Sequence, residues 1–217
     1  MQNKKTLIFD LDGTLLNSIE DIAICMNIVL KDLNLPTYKI EEYKYFVGYG
    51  VDVLIFNVLK DASKELIEDA IKRFKIVYAS NENKNTVPYD GIIELLNELT
   101  KLDCNLAVLS NKPHELTQAS IKKIFKDYEF KEVHGQKYDV PKKPDPIAAI
   151  NIAKSLDIPC EKIYFVGDTK VDMQTAKSAN MKAIGVLWGF RGKEELLEFG
   201  ADFLVEHPLE ILDIINK

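Results

Sequence analysis

Thr6-Leu-Ile-Phe-Asp10-Leu-Asp12-Gly-Thr14-Leu-Leu16 is the stretch on which the rest of the chain turns. Thr6 to Phe9 are apolar, β-branched or aromatic, as a short buried strand requires, and they follow a basic, solvated start from Met1 to Lys5. Asp10 ends that strand, Asp12 follows two residues later, Gly13 frees the loop and Thr14 adds a hydroxyl. Ligands of open parallel sheets bind outside the carboxyl ends of the strands, which is where this spacing predicts Asp10 and Asp12. Two carboxylates so close repel each other, so the pair calls for a cation or a shared proton. Asp, Gly and Thr also build ordinary turns, and the choice between turn and site falls to the remaining loops.

The chain has 217 residues, enough for one sizeable domain or a core with an insertion. Its 47% hydrophobic and 29% charged content is that of a soluble globular protein rather than a disordered one. A net charge of -6, with lysines and arginines scattered, argues against a general nucleic-acid binder. Cys25, Cys104 and Cys160 are far apart and sit among apolar residues, so they read as buried free thiols. That usage suits a reducing, cytoplasmic setting. No apolar run of signal-peptide length opens the sequence, and no stretch approaches a membrane span.

After Leu16 the hydrophobic period becomes helical. Ile19, Ile22, Ala23, Met26, Val29, Leu30 and Leu33 share a face, with Ser18 as the expected N-cap and the helix ending before Pro36. Helical patterns follow at Ile40 to Val47, Val51 to Leu59 and Lys64 to Ser80, with no good strand between Asn17 and Lys84. This is too long for an ordinary connection and predicts a separate helical cap. Gly48-Tyr49-Gly50 breaks it, either as a helix corner or as a loop reaching over a site, where Lys44 and Tyr49 are candidates to contact a leaving group. Asn81 to Asn85 is polar and reads as the return linker.

Strands and helices then alternate. Cys104 to Leu109 is strand-like and ends in Ser110-Asn111-Lys112, with Pro113 opening a helix. Ser110 is thereby expected just before a helix N-terminus, as a plain N-cap or as an anion ligand. Phe130 to His134 is a weaker strand, and His114 and His134 have no ligand-spaced partner. In Lys142-Lys143-Pro144-Asp145-Pro146 the proline restricts Lys143, which is either solvated or aimed at a phosphate. Lys162 to Val166 is a fourth strand, ending in Gly167-Asp168-Thr169 with Asp172 one turn on; the acids are either caps or a hard-cation site. Ala183 to Leu187 and Asp202 to Val205 complete six strands, and Trp188 and Phe190 read as core or site-rim residues. The alternation predicts a parallel sheet with right-handed crossovers.

Asp10-Leu-Asp12-Gly-Thr14, Ser110-Asn111, Lys143-Pro144 and Gly167-Asp168-Thr169-x-x-Asp172, in this order, resemble the four motifs of the haloacid dehalogenase superfamily. Gly185-Val-Leu-Trp-Gly-Phe-Arg and Gly200-Ala-Asp-Phe-Leu further look like its phosphoglycolate phosphatase branch. The resemblance implies an α/β fold, a Rossmann-like parallel sheet core of residues 1–16 and 85–217 with an inserted α-helical cap domain of residues 17–84. It implies Asp10 as nucleophile, Asp12 as acid and then base, and Lys143 as the balancing cation. Ser110 and Asn111, with Gly13 and Thr14, would hold the phosphoryl group and its loop. Mg²⁺ would bind Asp10, Asp168 and the carbonyl of Asp12, supported by Thr169 and Asp172.

A carboxylate at Asp12 separates phosphatases and phosphomutases from dehalogenases, which need no leaving-group acid. Asn17 departs from the aspartate many relatives carry before Ser18. The expected activity is Mg²⁺-dependent hydrolysis of a small phosphorylated metabolite, foremost 2-phosphoglycolate, through an aspartyl-phosphate. Pyrophosphatase, sugar or nucleotide phosphatase and β-phosphoglucomutase activities are the enzymatic alternatives. A non-catalytic binding module is the other class, since fold alone does not prove function. The expected partners exclude nucleic acid and membrane, and the expected assembly is a monomer or homodimer.

Overall fold

A computed structural model describes residues 4–81 and 83–216, so part of the basic start and part of the return linker lie outside the described residues. The chain runs β1 (Thr6–Phe9), β2 (Leu16–Asn17), α1 (Ile19–Asp32), α2 (Ile40–Tyr43), α3 (Val51–Leu59), α4 (Lys64–Asn81) and β3 (Val87–Pro88). It continues α5 (Ile92–Lys101), β4 (Asn105–Pro113), α6 (His114–Ile124), β5 (Glu132–Gln136), α7 (Ile147–Ser155) and, after a 3-10 turn, β6 (Ile163–Gly167). Last come α8 (Lys170–Ser178), β7 (Lys182–Val186), α9 (Lys193–Glu198), β8 (Phe203–Val205) and α10 (Glu210–Ile215).

Six strands form one sheet in the order β5-β4-β1-β6-β7-β8, and every pairing is parallel. β1 is central because it is buried on both faces. Leu7 and Phe9 join the core packed under α5 and α10, whereas Ile8 points to the opposite core with Ala107, Phe165 and Ala183. β1 lies between β4 and β6, and the chain adds β4 and β5 on one side of it before crossing to β6 on the other, so the carboxyl ends of β4, β1 and β6 border a single crevice.

The helices α1 to α4 pack around their own apolar cluster, including Met26, Tyr43, Ile55, Phe74 and Tyr78. This segment leaves and returns through β2 and β3, which pair antiparallel as Leu16↔Pro88 and Asn17↔Val87. Asp21, buried in the first turn of α1, accepts from the backbone N–H of Asn85 (3.1 Å) and of Thr86 (2.9 Å), and from the Thr86 hydroxyl (2.5 Å). The two ends of the helical segment are thereby tied together.

Several local expectations need correction. Ser18 stands at the N-cap of α1, but its hydroxyl makes no capping bond, because its φ of -106° and ψ of 1° differ from extended cap geometry. The Ile40 to Val47 helix stops at Tyr43, since the following residues turn toward Gly48. β4 runs on to Pro113, with a register shift against β5 between Leu109 and Pro113, so Ser110 lies inside a strand and α6 starts only at His114. Cys25 is buried, but Cys104 and Cys160 are only half-buried. Among the described residues no helix is long and apolar enough to cross a membrane.

Candidate active site

Asp10 leaves the end of β1, where its N–H still donates to Val166 O of β6 (2.9 Å). Asp168 leaves the end of β6, and Asp172 lies one turn into α8. Carboxylate oxygens of Asp10, Asp168 and Asp172 all lie within 4.8 Å of one another. Lys143, from the loop before α7, reaches into this cluster: its Nζ is 2.9 Å from Asp10 Oδ1 and 2.7 Å from Asp172 Oδ1. It is only 2% exposed, so the solvated alternative for this lysine is excluded.

Burial dominates the electrostatics. It raises Asp10 to about 7, although Lys143 pulls the other way and Asp172 adds to the rise. Asp168 is pushed well above the usual carboxylate range by burial and by the charges of Asp172 and Asp10. Burial opposes the charge of Lys143, but Asp10 and Asp172 overcome it and hold the ammonium above its ordinary value. Three buried carboxylates around one ammonium leave excess negative charge, and Asp10 Oδ1 has no hydrogen bond of good geometry beyond its ion pair. An all-oxygen donor set of this kind suits a hard divalent cation.

The surrounding loops fix the acids. Thr14 Oγ1 donates to Asp168 Oδ1 (3.1 Å), and the Phe190 N–H donates to Asp168 Oδ2 (2.8 Å). The N–H and hydroxyl of Thr169 donate to Asp172 Oδ2 (3.0 and 2.7 Å), closing the N-terminus of α8. Gly13 has φ +92°, and a Cβ there would stand 2.4 Å from Asp168 Oδ2; only glycine fits both the conformation and the space. Gly13 and Thr14 therefore pack against Asp168, and fully buried Thr14 does not face the cavity as a substrate ligand would.

A cavity opens over Asp10 and Asp12. Ser110, Asn111, Lys112 and Pro113 form its floor beside these acids, while Ile22, Val47, Val51, Leu54 and Phe74 of the helical segment, with Phe190, make an apolar roof. Asn111 uses its side chain as a clamp. Its Nδ2 donates to Gly48 O (3.1 Å) and Lys143 O (3.0 Å), and its Oδ1 accepts from the Lys143 N–H (2.9 Å). Ser110 Oγ accepts from the Lys112 N–H (3.3 Å). Asp12 stands apart from the carboxylate cluster; its Oδ1 meets Lys112 Nζ at 3.3 Å.

Gly48 and Gly50 line the cavity, so this break is both a helix corner and a loop over the site. Lys44 and Tyr49 do not line it, which corrects their candidacy as leaving-group contacts. The carbonyl of Lys44 instead accepts from Arg191, whose other guanidinium nitrogen donates to Val47 O (3.1 Å). His114 and His134 stand near each other outside the cavity, His134 against Glu132 (2.6 Å). Trp188 Nε1 donates to Thr14 O (2.9 Å), and Phe190 is buried with the helical segment's core.

Sequence reasoning missed Lys112, Tyr78 and Arg191. Lys112 directly follows Ser110-Asn111, and that adjacency was a usable signal; Tyr78 and Arg191 carried none beyond helical period and charge.

The model of the haloacid dehalogenase-like hydrolases matches residues 7–186. The phosphoglycolate phosphatase of Colwellia psychrerythraea is 32% identical, over all of this chain and 99% of its own. That of Aquifex aeolicus is 31% identical, over 98% of this chain and 97% of its own. The crystal structure of "a predicted phosphoglycolate phosphatase" from Haemophilus somnus superposes with a TM-score of 0.90 at 27% identity, covering 99% of each chain. A haloacid dehalogenase-like family protein from Streptococcus pneumoniae shares the fold at a TM-score of 0.88 and 24% identity, covering 99% of each.

Proposed function

The chain belongs to the haloacid dehalogenase-like hydrolases, and within that family we propose that it is a Mg²⁺-dependent phosphatase acting on a small phosphate monoester, foremost 2-phosphoglycolate. One observation carries the reading: Asp10 faces the cavity while its carboxylate is held between Lys143 and the Asp168–Asp172 pair.

In the proposed reaction a carboxylate oxygen of Asp10 attacks phosphorus and the ester P–O bond breaks. Asp12, two residues further on and beside the cavity, gives its proton to the departing oxygen. Asp12 then takes a proton from a water as that water attacks phosphorus. The Asp10–phosphorus link breaks and inorganic phosphate leaves. Lys143 offsets the charge gathered on Asp10 and the phosphoryl oxygens, and Ser110 and the amide of Asn111 hold those oxygens. Asp10, Asp168 and the Asp12 carbonyl would hold Mg²⁺, with Thr169 and Asp172 in support. The bound ion would polarise a phosphoryl oxygen and reduce the repulsion between two anions.

The apolar roof offers few partners for the hydroxyls of a sugar or the base of a nucleotide, which supports a small leaving group over those alternatives. The proposed partners are metabolites alone, without nucleic acid or membrane, for a monomer or homodimer; the three free thiols support a reducing, cytoplasmic setting. Phosphate release from a metabolite panel with Mg²⁺ tests the proposal. The wild type should turn over 2-phosphoglycolate and Asp10→Asn should not. Undiminished turnover by Asp10→Asn would remove Asp10 as nucleophile.

A further inference from the structure

Lys112 is a basic side chain in the floor of the cavity, and among the described lining residues no other carries a positive charge. Its backbone is buried in β4, and the residue is 7% exposed. The ammonium donates to the Tyr78 hydroxyl at 2.7 Å and meets Asp12 Oδ1 at 3.3 Å. It also stands 4.8 Å from the centroid of the Tyr78 ring. Tyr78 belongs to α4, so a residue of the helical segment aims a core lysine at the neighbourhood of the proposed leaving-group acid.

The roof opposite is apolar, so an anionic group carried by the leaving alcohol would enter it at a heavy desolvation cost unless a cation met it. Asp12 is the group proposed to protonate the leaving oxygen. A carboxylate one carbon from that oxygen would lie beside Asp12, where the ammonium already stands.

From this placement we infer that Lys112 is a specificity-determining residue, its ammonium, oriented by Tyr78, receiving a carboxylate carried by the leaving group. The inference rests on the phosphatase reading and deepens it. It concerns which esters are preferred rather than how the phosphorus is attacked.

The test compares kcat/KM for 2-phosphoglycolate with kcat/KM for ethyl phosphate, a similar ester without the carboxylate, in wild type, Lys112→Met, Lys112→Arg and Tyr78→Phe. Taking the ratio of the two substrates within each variant cancels any loss of folded protein. The wild type should prefer 2-phosphoglycolate. Lys112→Met should lower that preference at least tenfold, mainly through KM, while Lys112→Arg keeps most of it and Tyr78→Phe shifts it partway. An unchanged ratio in Lys112→Met, with both substrates slowed alike, would overturn the inference and leave Lys112 a positioning residue for Asp12. A wild type that favours ethyl phosphate would overturn it too, with the phosphatase reading standing. Turnover of neither ester would defeat both.

Discussion

Lys143 places its ammonium 2.9 Å from Oδ1 of Asp10, in surroundings almost closed to solvent. The contact joins the loop before α7 to the end of β1, and it determines what the carboxylates can do. Without the cation, Asp10, Asp168 and Asp172 would share their burial with no positive neighbour of this reach among the described residues.

Lys143→Met should therefore abolish most turnover, by about a hundredfold or more in kcat, as removal of a group that stabilises developing charge does. Breaking one partner out of a buried pair costs about 3–5 kcal/mol. Denaturant unfolding at pH 8 and pH 5 should show the larger loss at pH 8, because carboxylates raised by burial regain protons at the lower pH. Equal losses at both pH values would contradict the pairing.

The raised Asp10 predicts linkage of two kinds. In the metal-free protein its folded value of about 7 exceeds the ordinary 3.8, so the folded state binds more protons between the two. Its contribution to stability is complete below about 3.8 and is lost as pH rises through about 7. Binding of Mg²⁺ must displace the retained protons, so its affinity should rise with pH through about 7. Calorimetry in two buffers of different ionisation enthalpy would count the released protons, and a pH-independent affinity from 5 to 7 would refute the linkage.

Arg191 fastens the sheet side to the helical segment through the carbonyls of Lys44 and Val47. Hydrogen bonds from a charged donor are worth about 1.5–3 kcal/mol each. Arg191→Ala should raise KM severalfold and speed hydrogen exchange at residues 44–50, with little change in the exchange of β1. Unaltered exchange in that segment would show that the arginine does not hold it.

Gly13→Ala puts a methyl group where Asp168 Oδ2 lies and forces an alanine to φ +92°. Backbone strain of this kind costs about 1–3 kcal/mol. Asp168 must shift, and Mg²⁺ affinity should fall about tenfold or more while far-UV circular dichroism stays native. Wild-type affinity in this variant would mean that Asp168 is not part of the metal site.

The parallel sheet was legible because its signal is redundant. Six apolar runs separated by helical periods leave few topologies, and β1 carries an unbroken run buried on both faces. Asp10 and Asp168 were legible as candidates because each follows a strand, Asp172 because it falls in the helix turn after Asp168, and Lys143 because it stands directly before a proline. Sequence could not show that Asp12 turns from the carboxylate cluster toward Lys112, because side-chain direction in a loop depends on neighbours distant along the chain. The same cause hid Tyr78, whose helical spacing spoke only for core, and gave Lys44 and Tyr49 a role their positions do not support. The end of β4 is not legible because Ser110 to Pro113 have weak strand character of their own, and the strand is carried past its register shift only by the pairing of Pro113 with Gln136 of β5.

The four residues of β2 and β3 turn everything from Ser18 to Thr86 into what is, for the parallel sheet, one hairpin loop. Closing such a loop depends only weakly on its length, so the sheet is nearly indifferent to what the loop contains. Helices within it can be lengthened, exchanged or re-lined over generations while the acids at the strand ends keep their stations. New leaving groups can then be admitted by redecorating the roof, and the hydrolytic floor need not be reinvented.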